Sequence, residues 1–267
     1  MFMDKASRLA TLLPNNRGVW IPIDHGASDY PNPGLEDLEG LIRQLIAGGV
    51  DVILAQKGVV NHYAHLCKGT STNMMIHYSV STRHAGLNCN NKVLVGHADE
   101  TLSRGGIGVS SQVNMGSEHE PEMIERMGEL NRQAHLAELP AFGMVYARGP
   151  NLNPVEADPT NGQAHAVRLA FELGCDAAKT TWTGDKESFT LVTQAAPIPM
   201  LVAGGPASDN SLAVLEMVQA AMEAGAAGVC MGRQVFAHEQ PEKMAKALVS
   251  IVHHGASAQS ALDTSGL

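Results

Sequence analysis

A chain of 267 residues, 44% of them hydrophobic, is long enough to bury one large core, and it fits a single domain spanning residues 1–267. Its formal net charge of -9, with no run of basic residues, argues against nucleic acid or an anionic membrane surface as a partner. The four cysteines, Cys67, Cys89, Cys175 and Cys230, form no CxxC pair and read as small core hydrophobes of a reducing compartment. Met1–Lys5 lacks an apolar signal core and no stretch approaches a membrane span, so the expected location is the cytoplasm.

Taken in order, the chain alternates strand with helix. Val19–Asp24 reads as the first strand, and Leu35, Leu38, Leu41, Ile42, Leu45 and Ile46 mark one face of the helix after it. Val50–Ala55 is the second strand, and a short helical or irregular stretch through His62 and Leu66 leads to a third at Met74–Ser79. The polar segment Ser81–Asn91 reads as a loop over the active face, with a short extra strand at Lys92–Gly96 and a helix around Asp99–Arg104. The fourth strand is Ile107–Asn114, followed by a helix from Pro121. The fifth is Ala141–Tyr146, with a helix over Gln163–Leu173. The sixth runs from Cys175 through Lys179, and Asp185 is placed to cap the next helix through Phe189 and Val192. Ile198–Ala203 and Gly228–Gly232 are strands seven and eight, each followed by an apolar-faced helix, the last starting at Pro241.

Three units share a seam in which a helix ends at Gly49, Gly174 or Gly225 and a short apolar strand begins. Glycine there permits the left-handed turn that sends the chain back into the sheet. Eight strand–helix units predict a (β/α)8 TIM barrel. The alternative, an open doubly wound sheet, would more often carry GxGxxG after its first strand, and here that turn is Asp24-His25-Gly26.

In such a barrel chemistry gathers at the C-terminal strand ends. Those positions hold Asp24, His25, Gly26, Ala27 and Ser28 on the first strand, and His77-Tyr78-Ser79 on the third. They also hold Tyr146 and Arg148 on the fifth, Lys179 on the sixth, Gly204 and Gly205 on the seventh, and Gly232 and Arg233 on the eighth. A lysine in an otherwise uncharged strand is expected to have its pKa pushed down by burial, which favours the neutral nucleophilic amine; the plainer reading is a lysine snorkelling to solvent. Gly204-Gly205 after the seventh strand and Gly232-Arg233 after the eighth fit a phosphate site, although glycines also simply make turns. Asp24 as a cap and Tyr146 as a half-buried aromatic are the structural alternatives to proton-transfer roles. His62/His65 and His253/His254 lack companions at a recognised ligand spacing, so no metal is expected.

In combination, Ile21-Pro22-Ile23-Asp24-His25-Gly26, Val113–Glu118, Val145-Tyr146-Ala147-Arg148-Gly149, Ala178–Asp185, Ala203–Pro206 and Gly232–Phe236 resemble the archaeal-type class I aldolases, from about Val19 to Gly255 and in the same order. That family includes fructose-bisphosphate aldolase and aminodideoxyheptulosonate synthase. The resemblance implies Lys179 as Schiff-base lysine, Tyr146 as proton donor and Asp24 as acid/base. It places His25 to Ser28, Arg148, Gly204, Gly205, Gly232 and Arg233 around a phosphorylated substrate, with no cofactor or metal and a homo-oligomeric assembly. Two departures, Ala147 where the family often has proline and Thr181-Trp182 where it often has Asn-Tyr, bear on substrate preference. His77–Thr82 is similar to the third-strand ending of the aminoheptulosonate synthases, so the favoured reaction joins a ketose-phosphate-derived enamine to a small aldehyde such as aspartate semialdehyde. Fructose-bisphosphate cleavage is the alternative within the family. A sugar-phosphate isomerase, an acyl-transfer relative and a non-catalytic sugar-phosphate-binding barrel are the alternatives outside it.

Overall fold

The computed structural model describes residues 3–267. The first helix, α1 (Lys5–Leu12), is capped by Asp4, whose carboxylate accepts from the Ser7 N–H. It was not foreseen in the sequence, and it lies across the N-terminal end of the barrel. Leu12 and Leu13 are fully buried there, and the Trp20 indole donates to the Leu12 carbonyl at 2.8 Å.

From there β1 (Gly18–Pro22) leads to α2 (Leu38–Ala47), β2 (Val52–Ala55) and α3 (Lys57–Tyr63), then to β3 (Asn73–His77). A strap follows, in which β4 (Ser79–Val80) and β5 (Val93–Leu94) pair antiparallel around the turns of Arg83–Asn90. The chain resumes with β6 (Val109–Met115), α4 (Glu120–Leu136), β7 (Ala141–Ala147) and α5 (Pro159–Glu172). It continues through β8 (Ala177–Thr181), α6 (Lys186–Thr193), β9 (Met200–Ala203), α7 (Ser211–Glu223) and β10 (Gly228–Cys230). The short α8 (Arg233–Phe236), α9 (Pro241–His254) and α10 (Ala258–Ser265) complete it.

Eight strands close in the order β1-β10-β9-β8-β7-β6-β3-β2, with parallel pairing throughout. The TIM barrel expected from the sequence is what forms. Gly49, Gly174 and Gly225 have φ of 79, 87 and 97°, the left-handed conformation the seams require. The helix expected around Asp99–Arg104 is instead a single 3-10 turn at Ala98–Glu100. Beyond it the chain continues as irregular turns, with the Arg104 N–H donating to both the Glu100 and Thr101 carbonyls, before closing back at Gly105-Gly106; Thr101 is held inward by the Tyr78 hydroxyl at 3.0 Å.

Strand alternation divides the core in two. Outward residues such as Val19, Ile21, Ala178 and Val202 pack under the helices. Inward ones, among them Trp20, Leu54, Met75, Phe142, Met144, Ala177 and Leu201, fill the barrel, with the Trp20 and Phe142 rings edge to face at 4.6 Å. This apolar plug is the floor of everything above it.

Candidate active site

Lys179 stands on that floor. It follows Ala177 by two residues, so its side chain shares the inward face, and its partners in register, Met144 and Leu201, are plug residues. It lies in the middle of β8 rather than near its end, and only 7% of it is exposed. A cavity of about 510 Å³ opens above it at the C-terminal strand ends, within the range of small-ligand sites.

Asp24, His25, Ser28, Tyr146, Arg148, Lys179, Gly204, Gly205, Gly232 and Arg233 all line this cavity. Gly26 and Ala27 do not: they form the back of the 3-10 turn Asp24–Ala27, which directs the carboxylate and imidazole before them into the mouth. Lys92, Gln112, Met144 and Cys230 also line it and were not assigned to it from the sequence. His77, noted only as a strand end, is buried beneath Asp24, with Nε2 3.9 Å from Oδ2 and Nδ1 3.0 Å from the Ser110 hydroxyl.

The electrostatics correct one expectation. Burial by itself would push the Lys179 ammonium down, but Cys230, Tyr146 and Asp24 outweigh it, and the pKa is raised above the ordinary lysine value. The Cys230 thiol is itself pushed up to about 11 by burial, so near neutral pH it is uncharged and the Asp24 carboxylate supplies the standing attraction. Asp24 is likewise held below the usual carboxylate value: burial raises it, and His25, His77 and Lys179 more than compensate. Burial keeps both histidines below their ordinary value, His77 at about 4, so the ammonium is the cation that persists beside Asp24. Lys179 therefore rests as an ammonium and must give up a proton before it can attack a carbonyl.

The loops after β9 and β10 are tied to each other. Gln234 of α8 donates to the Gly204 carbonyl at 3.1 Å and also to that of Pro206. Gly205 has φ of 69°, a turn open to glycine at little cost. Gly232 and Arg233 open α8, so their N–H groups have no acceptor within it and are free to face an anion. A methyl group on Gly232 would meet the Pro22 carbonyl oxygen at 2.6 Å and the His25 ring at 2.7 Å. Across the mouth the Arg148 guanidinium lies over the Tyr146 ring at 4.4 Å, and its Nε donates to Asn114 Oδ1 at 3.1 Å. Among the described residues no cluster of three or more His, Cys, Asp or Glu forms a candidate metal site, and no helix is long and apolar enough to cross a membrane.

The family described as DeoC/LacD family aldolase matches residues 19–238. The chain is 38% identical over 264 residues to 2-amino-3,7-dideoxy-D-threo-hept-6-ulosonate synthase of Halobacterium salinarum, covering 98% of this chain and 97% of that protein. It is 36% identical over 236 residues to 2-amino-4,5-dihydroxy-6-oxo-7-(phosphonooxy)heptanoate synthase of Streptomyces griseus, covering 88% and 84%. Among solved structures, an archaeal fructose-1,6-bisphosphate aldolase with its catalytic lysine bound to a carbinolamine intermediate superposes with a TM-score of 0.81 at 26% identity, covering 94% of this chain and all of that one.

Proposed function

The chain belongs to the DeoC/LacD family of aldolases, and from that premise we propose that it joins a ketose-phosphate-derived enamine to an amino aldehyde such as aspartate semialdehyde, with Lys179 as the Schiff-base amine. It is an enzyme of the Schiff-base aldolase class. The observation that carries the assignment of Lys179 is its position: a buried lysine on an apolar floor, sharing one cavity with a phenol and a carboxylate. Snorkelling does not describe a side chain that is 7% exposed.

In the proposed sequence the donor phosphate is gripped by the N–H groups of Gly204, Gly205, Gly232 and Arg233 and by the Arg233 guanidinium. The Lys179 ammonium passes a proton to the Asp24 carboxylate, and the free amine adds to the donor ketone. Tyr146 protonates the departing hydroxyl of the carbinolamine, and water leaves as the iminium forms. The iminium is an electron sink, so loss of a proton or cleavage of the adjacent C–C bond gives the enamine. The enamine carbon then attacks the aldehyde, whose oxygen takes up a proton, and water hydrolyses the product iminium and returns Lys179. The relatives' names describe seven-carbon 2-amino acids with a ketone at carbon 6, which results when a four-carbon amino aldehyde acid is joined to a three-carbon ketone. That chemistry supports the amino aldehyde over a sugar aldehyde as acceptor.

Reduction with borohydride in the presence of dihydroxyacetone phosphate is expected to leave a secondary amine on the peptide containing Lys179, and not on Lys57, Lys68 or Lys186. Lys179→Arg is expected to lose both adduct and turnover. Tyr146→Phe keeps the amine, so adduct accumulates while turnover falls about 100-fold or more. An adduct on another lysine, or turnover by the arginine variant, overturns the assignment. Faster turnover with glyceraldehyde 3-phosphate than with aspartate semialdehyde would favour fructose-bisphosphate chemistry on the same machinery.

A further inference from the structure

One cation on the cavity wall has no part in the chemistry above. Lys92 sits where the strap returns, just before β5, and its ammonium donates to the Ser81 hydroxyl at 2.8 Å. Its backbone is clamped from below, where Arg126 of α4 donates to the Lys92 carbonyl at 2.9 Å. The strap is also tied to β6 and, through it, to the loop after β7: Asn114 of β6 donates to the Asn90 carbonyl at 2.8 Å and accepts from Arg148. Lys92 and Arg148 are thus fixed on one side of the mouth through a shared asparagine.

That side lies away from the phosphate grip. In the barrel order the strap connects β3 to β6, which lie half way round the ring from β9 and β10. Lys179 on β8 and Tyr146 on β7 lie between the two. Neither Lys92 nor Arg148 is within 4.0 Å of a carboxylate among the described residues, although the chain is acidic overall. The other acid on the cavity, Asp29, is engaged by Arg83 at 2.9 Å. Burial and the nearby Arg148 hold the Lys92 ammonium below the ordinary lysine value, against the pull of Asp24, so an incoming anion would relieve a repulsion already in place.

We propose that Lys92, with Arg148, forms an anion subsite for the tail of the acceptor aldehyde, so that the enzyme selects carboxylate- or phosphate-bearing aldehydes over neutral ones. The proposal rests on the aldolase reading of the cavity. With the donor phosphate on β9 and β10 and its ketone carbon on Lys179, the acceptor enters from the strap side. A cation there holds its far end while the aldehyde meets the enamine. Lys92 is a specificity residue in this arrangement and has no contact with the reacting carbons.

Lys92→Met keeps the stem and removes the charge. With saturating dihydroxyacetone phosphate, its KM for aspartate semialdehyde is expected to rise about tenfold or more. The KM for glycolaldehyde, which is neutral, should change by less than about threefold, and Lys92→Arg should retain most of the preference for the anion. The borohydride adduct on Lys179, formed before any acceptor is added, should persist in Lys92→Met. If the selective loss falls on glyceraldehyde 3-phosphate instead, the bound tail is a phosphate, the amino aldehyde assignment fails and the subsite stands. Equal losses for neutral and anionic aldehydes, or no loss for either, overturn the subsite. A wild-type protein that forms no adduct with the donor overturns the aldolase reading, and the subsite with it.

Discussion

At the scale of single residues, Lys179 and His77 meet the same burial and answer it differently. At Lys179, Cys230, Tyr146 and Asp24 outweigh burial and the ammonium persists; at His77 burial prevails over the Asp24 carboxylate 3.9 Å away, and the ring stays neutral down to about pH 4. That difference has a sign. In the unfolded chain a histidine takes its proton near 6.5, whereas in the fold His77 takes it near 4. Between those values the unfolded chain binds the extra proton, so the folded state loses stability as pH falls. By about pH 4.5 the loss amounts to about 2–3 kcal/mol, and it is absent at neutral pH where both states are neutral. His77→Asn retains a partner for Ser110 and does not titrate there. Urea unfolding at neutral pH and at about pH 4.5 should show a smaller acid-induced loss in this variant than in wild type; equal losses would mean that His77 is not held neutral. The direction of the Lys179 shift was not legible in the sequence for a related reason. Burial is visible from a strand of small apolar residues, but Cys230, Tyr146 and Asp24, from other units of the barrel, reach Lys179 only once it has closed.

Among the elements, those read most directly were the ones whose placement is local. A helix ended by Gly174 or Gly225 and followed by an apolar run carries its own boundary signals, and Asp185 caps α6 through the Ser188 N–H at 2.8 Å as its position suggested. The strap is the contrary case: β4 and β5 are two residues each and are held by pairs such as Ser79 with Leu94 and Arg126 with Lys92. The extra strand expected at Lys92–Gly96 does form, as β5, but nothing periodic marks its pairing with β4, so Lys92 was left out of the site. Cys230 and Gln112 were missed differently, since they face the cavity through strand alternation below the rim while attention fell on the strand ends. At the phosphate end, α8 begins where β10 leaves no space. A Cβ on Gly232 would press on the Pro22 carbonyl, which β1 fixes, and on the His25 ring. Gly232→Ala is therefore expected to shift the N-terminus of α8, raise KM for the donor about tenfold or more, and cost about 1–3 kcal/mol of stability. Unchanged donor KM would show that the N–H groups of Gly232 and Arg233 take no part in holding the phosphate.

On the scale of the whole molecule, the two ends of the barrel divide the work. The C-terminal end holds the cavity and its buried charges, while the N-terminal end is sealed by α1, with Leu12 wholly enclosed against the barrel interior. Leu12 reaches under β6, where its Cδ1 would lie 3.2 Å from a Cβ on Gly108. Its carbonyl, and not its side chain, accepts the Trp20 indole hydrogen bond. Leu12→Ala thus removes packing and leaves that hydrogen bond in place, and the floor beneath Lys179 still rests on Trp20, Phe142 and Met144. The substitution is expected to cost about 2–5 kcal/mol from lost transfer and an unfilled cavity. For a chain of this size that lowers Tm by roughly 5–15 °C. Assayed well below its own Tm, the variant should keep kcat/KM within about twofold of wild type, because no cavity residue has moved. A Tm unchanged by the substitution would show that α1 is not a structural seal. A large fall in kcat/KM at low temperature would show that the two ends of the barrel are coupled through the plug.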